Sequence, residues 1–97
     1  MSRTQICTGH GYLIEGEEIQ GCTFLHCDIK HFSKSVMREI RDAFEIIVSE
    51  FKALGKELLF SYTKNERFIK FLGVPYKSLA DITESGETHK VISWELK

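Results

Sequence analysis

Between Ser33 and Gly55 apolar residues return at spacings of three and four: Val36, Met37, Ile40, Ala43, Phe44, Ile47, Val48, Phe51 and Leu54. That period sets them on one face of an α-helix. Arg38, Glu39, Arg41, Asp42, Glu45, Ser49, Glu50 and Lys52 fall mostly on the other. A stripe this broad suits a helix lying on a sheet and is too wide for a coiled-coil seam. Ser33 or Ser35 offers a hydroxyl to cap the first free N–H groups. Gly55 fits the C′ position just past the last turn.

The segments around this helix read as strands. Tyr12 to Glu15 is one, and Gly16-Glu17-Glu18 is a turn candidate. Ile19 to Ile29 is the next, with a near-continuous apolar run from Cys22 to Cys27 that fits a strand covered on both faces. The two form an antiparallel hairpin. Met1 to Gly11 carries no clear period; Ile6 and Cys7 fit the start of a strand, and Gly9 and Gly11 interrupt it. After the helix, Lys56 to Thr63 reads as a strand. Strand, helix, strand makes a βαβ unit, so Cys22–Ile29 and Lys56–Thr63 should be parallel neighbours. Asn65 caps a short helix from Glu66 to Leu72, stopped by Gly73 and Pro75. Ser78–Thr83 and Thr88–Leu96 are strands joined at Ser85-Gly86, with Trp94 in the core between Ile92 and Leu96. The predicted class is α+β: a mixed, mostly antiparallel sheet with one long central helix and one short helix, ordered β-β-α-β-α-β-β. Its single parallel pair lies mid-sheet.

The chain has 97 residues, of which 42% are hydrophobic, enough for a single domain with its own core, 1–97. Its net charge of −1 supplies no global field to recruit nucleic acid, and no basic-aromatic face stands out. No apolar run approaches the roughly 20 residues of a membrane span. The three cysteines lack a framework spacing, which fits reduced thiols and a cytoplasmic location. Zinc is disfavoured: Cys22 and His26 stand about 13 Å apart along an extended strand, and His26 and Cys27 point to opposite faces.

The junction Lys30-His31-Phe32-Ser33-Lys34-Ser35 and the segment Asn65-Glu66-Arg67-Phe68-Ile69-Lys70-Phe71-Leu72-Gly73-Val74 stand in the same order, on the same elements, as two motifs of the GCN5-related N-acetyltransferase superfamily. Over roughly Tyr12 to Leu96 the chain resembles that family's C-terminal two-thirds. The family signature Gln/Arg-x-x-Gly-x-Gly/Ala maps onto Lys30 to Ser35, with serines in place of both glycines. The second segment is similar to an asparagine-started helix ending in Leu-Gly-Phe. The resemblance implies an acyl-CoA N-acyltransferase-like fold, with the pyrophosphate of acetyl-CoA at the loop and the thioester between two splayed parallel strands. A helix start suits a phosphate on physical grounds as well, through its open N–H groups and dipole. Lys30, His31, Ser33, Lys34, Ser35 and Asn65 are the expected cofactor-binding residues.

The family's tyrosine acid is replaced near the end of the short helix by Phe71, and its N-terminal strand and helices find no counterpart in this sequence. The resemblance is therefore to a short or degenerate member. His26 and Asp28 share a strand face and are the candidate bases, since imidazole titrates near neutrality. Tyr62 is the candidate acid, with Tyr76 as a substitute. Two functions stay open. One is acetyl transfer from acetyl-CoA to an amine. The other is a catalytically inactive module, of phage derivation, that acts through protein contacts. Self-association is expected, to cover apolar side chains on one sheet face, including part of Tyr12–Ile14 and Phe24. The competing expectation is that Met1–Gly11 folds over that face as an irregular flap.

Overall fold

The computed structural model describes residues 3–96. The elements run β1 (Thr4–Gly9), β2 (Tyr12–Ile19), β3 (Cys22–Ile29), α1 (Lys34–Ala53), β4 (Leu58–Thr63), α2 (Glu66–Phe71), β5 (Tyr76–Glu84) and β6 (Glu87–Glu95). One mixed sheet of six strands has the spatial order β1-β2-β3-β4-β6-β5. Both neighbours on either side of the centre pair antiparallel, and β3 and β4 are the parallel pair. The expected adjacency of these two strands is found.

The element order differs from the predicted one by a strand at the start, giving β-β-β-α-β-α-β-β. Thr4–Gly9 pairs antiparallel with β2, so it is an edge strand and not a flap. A register shift between Gln5 and Cys7 breaks its alternation, which is why no period shows in the sequence. Gly16 to Glu18 is not a turn. It lies within β2, and the reversal is at Gln20-Gly21, both with positive φ, between the paired Ile19 and Cys22. Gly16 serves close packing instead: a Cβ there would stand 2.9 Å from Ile6 Cδ1. The last hairpin turns at Ser85-Gly86 as expected.

α1 starts on Ser33, whose Oγ accepts from Val36 N at 3.1 Å. It ends with Gly55 N bonded to Lys52 O and Lys56 N to Phe51 O, the Schellman pattern. Leu54, placed by its spacing on the apolar stripe, is 78% exposed because it is the cap. Val36, Ile40, Phe44 and Ile47 are buried, each worth about 1.5–3 kcal/mol in transfer from water. They meet Tyr12, Ile14, Leu25, Leu59, Ile92, Trp94 and Leu96 of the sheet, with Ile69 and Leu72 from the α2 end. Phe44 and Trp94 pack with ring centroids 4.9 Å apart. Trp94, Ile92 and Leu96 are core, as their alternation predicts.

These sheet residues share one parity along each strand, so both helices lie on one sheet face. The opposite face carries Leu13, Phe24, His26, Leu58, Phe60, Tyr62 and Val91 by the register. No helix covers it among the described residues. Of the segment Tyr12–Ile14, part of which is expected on the uncovered face, Leu13 lies there with Phe24, while Tyr12 and Ile14 are in the core.

Candidate functional site

The parallel pair is registered at one position, Phe24 opposite Phe60. One residue further on, Ser61 Oγ donates to the Leu25 carbonyl at 2.7 Å, a side-chain bond where a ladder bond would stand. Beyond it, between the C-terminal ends of β3 and β4, lies an opening of about 230 Å³ lined by Cys27, Ile29, Thr63 and Lys64. It shares Phe32, Asn65 and Phe68 with a larger cleft of about 620 Å³ between the start of α1 and α2.

Phe32, Met37, Phe68 and Phe71 make the apolar lining of that cleft, and Lys34, Arg38 and Arg67 bring three cations. None of the three has an ion-pair partner among the described residues. Phe32 is 67% exposed, an unusual exposure for a ring in a short loop. The loop is held from behind: the amides of Lys30 and His31 both donate to Gly11 O, at 2.7 and 3.3 Å. Gly11 has φ +82, and a Cβ on it would stand 2.9 Å from His31 Cβ, so this approach requires glycine.

Of the N–H groups open at this helix start, Ser33 to Val36, that of Val36 bonds Ser33 Oγ, and Met37 N makes the first regular helical bond to Ser33 O. The Lys34 and Ser35 amides of the first turn are not used by this cap. Asn65 caps α2, its Oδ1 accepting from Phe68 N at 3.4 Å.

Ser33, Lys34 and Asn65 of the expected cofactor-binding set therefore line the cleft. Lys30 and His31 do not; their amides are turned to Gly11. The Ser35 hydroxyl sits 3.1 Å from Ser33 Oγ. Arg38, Arg67, Met37 and Phe68 are not among the site residues expected from the sequence, and Phe71 enters there only as the residue in place of the family's tyrosine. Lys34 and Arg38 are four residues apart on one helix, a spacing that puts them side by side.

His26 and Tyr62 are brought together on the uncovered sheet face, with ring centroids 5.4 Å apart. His26 Nε2 lies 3.0 Å from Glu17 Oε1. Asp28 shares the face but is exposed, and its carboxylate makes no hydrogen bond or ion pair among the described residues. Tyr76 points to the helix side, where its OH donates to Glu66 Oε2 at 2.6 Å; that bond raises its pKa. Cys27 faces the core side, and burial, then the nearby Asp28 charge, pushes its thiol up to about 12. A thiol so placed is not a nucleophile near neutral pH.

Compared with known proteins, the chain matches no family model, no curated protein and no solved structure.

Proposed function

We propose that this chain binds an acyl-CoA in the cleft between α1 and α2 and is an N-acetyltransferase-like protein that transfers an acetyl group to an amine. The observation that carries the reading is one continuous arrangement. Three unpaired cations stand over an aromatic floor at a capped helix start, and that cleft leads into the parting of the parallel strand pair. Lys34, Arg38 and Arg67, with the Lys34 and Ser35 amides, suit phosphate oxygens. Phe32, Phe68 and Phe71 suit a flat base or an apolar arm. An acyl group directed between the parted strands comes towards His26 and Tyr62. In the reaction the amine nitrogen attacks the thioester carbonyl carbon and the C–S bond breaks. His26 takes the amine proton, and Tyr62 gives a proton to the leaving thiolate.

A second reading, a non-catalytic interaction module, is favoured by the ring cluster on the uncovered face. Phe24 lies 5.4 Å from Phe60 and 5.3 Å from Tyr62. Calorimetric titration with acetyl-CoA separates the two. Low-micromolar binding with heat supports the first; no heat at millimolar ligand overturns it.

A further inference from the structure

Two carboxylates of β2 flank the His26 ring on the uncovered sheet face. Glu15 stands directly opposite His26 in the register, and Glu17 stands opposite Phe24, one diagonal step away. A long side chain reaches across such a diagonal. Glu15 is engaged by Arg3, at 3.6 Å. Glu17 is the one that meets the ring, its Oε1 3.0 Å from His26 Nε2. Tyr62 of β4 stands on the other side, with ring centroids 5.4 Å apart. Asp28, two residues along β3, is exposed and makes no bond to the ring among the described residues. A carboxylate accepts hydrogen bonds and donates none. A neutral imidazole carries one N–H, so beside Glu17 that N–H is at Nε2. The His26 and Glu17 side chains are only 10% and 15% exposed, which leaves water little room to offer the ring a different partner. Nδ1 then keeps the open lone pair.

We infer that Glu17 is a positioning residue for the proposed transfer step: it holds His26 as the Nε2–H tautomer, so that Nδ1 is the atom that takes the amine proton. The inference rests on the acyl-CoA reading. In the step the amine nitrogen bonds to the acyl carbon, and its proton passes to Nδ1. The C–S electron pair leaves with the thiolate, which is protonated by Tyr62. His26 is then an imidazolium with a proton on each nitrogen. The Glu17 carboxylate, already bonded at Nε2, stabilises that charge as it forms. Glu15, opposite the ring but engaged by Arg3, has no such part.

The test is nitrogen-15 NMR of the His26 ring in the full chain at about pH 9, where an ordinary imidazole is neutral. The His26 signals are identified among the four histidines by their loss in His26→Gln. The expected result is a ring proton on Nε2 and none on Nδ1, with Nδ1 the nitrogen that gains a proton as the pH is lowered. Glu17→Ala speeds exchange of the Nε2 proton with water at least tenfold, and Glu15→Ala does not. If Glu17→Ala fails to fold, the isosteric Glu17→Gln gives the same comparison, since an amide lacks the charge that holds the proton. A parent ring protonated on Nδ1 overturns the inference. So does an Nε2 proton whose exchange is the same with and without the Glu17 carboxylate. Acetyl-CoA is titrated separately. No heat at millimolar ligand overturns the acyl-CoA reading, and with it the transfer role of Glu17, even where the Nε2–H tautomer is found. Heat together with the other tautomer overturns the inference alone.

Discussion

The Ser61 hydroxyl and the Leu25 carbonyl, 2.7 Å apart, join the two parallel strands at the level where they begin to part. A parting strand pair leaves buried carbonyls that the ladder no longer serves, and one hydroxyl here serves one of them. Ser61→Ala removes the donor and leaves the buried Leu25 oxygen unpaired, at a cost of about 1–3 kcal/mol. Urea unfolding should show a lower midpoint with an unchanged slope.

Substituting the cleft cations should separate them from the neighbouring lysine. Lys34→Ala with Arg67→Ala weakens acyl-CoA binding by about 1–3 kcal/mol, and the loss shrinks in high salt. Lys30→Ala leaves affinity unchanged, because Lys30 lies outside the cleft. Isothermal titration of both variants at low and high salt is the measurement.

Cys27 should be the slow thiol. Its raised pKa keeps it protonated, so alkylation at pH 8 proceeds much faster after urea unfolding than before. The folded thiol titrates at about 12 against 9.0 for an ordinary one. The native state therefore holds a proton that the unfolded chain releases, and the associated stability is full below about pH 9 and lost as pH rises towards 12. Cys27→Ala flattens that alkaline decline, read by Trp94 fluorescence.

At the acid end the attachment of α2 to the last hairpin is the sensitive point. The Tyr76 hydroxyl and then Lys90 hold the Glu66 carboxyl below its ordinary 4.5. The native state thus favours the ionised form. Its contribution is present above pH 4.5 and is lost as pH falls through the lowered value. Thermal melts between pH 6 and 2 should show a steeper acid loss for the parent than for Glu66→Gln, with the difference reduced by salt.

Much of the frame was legible in the residues. The stripe from Val36 to Phe51, the Asn65 cap, the Ser85-Gly86 turn and the Ile92-Trp94-Leu96 alternation each express a local period or a local φ preference. β1 was not legible, since a shifted register at Gln5 to Cys7 erases the alternation that would announce it. Gly16 read as a turn because glycine permits one; its pairing with Thr4 on one side and Leu25 on the other keeps it within the strand. At the site, charge drew attention to Lys30 and His31. Their placement is set by Gly11, which no local pattern links to them. Arg67 and Phe71 enter the cleft only because α2 folds back beside α1, a tertiary event.

The hold of Gly11 on the amides of Lys30 and His31 bears on how the chain can be re-threaded. The wall of the cleft is fastened by the turn of the first hairpin, so cutting or lengthening that turn releases a loop far along the sequence. The turn at Ser85-Gly86 holds nothing comparable: it is exposed, and a Cβ on Gly86 would meet no atom within 4 Å. New termini, or an inserted domain, belong at the last hairpin and not at the first.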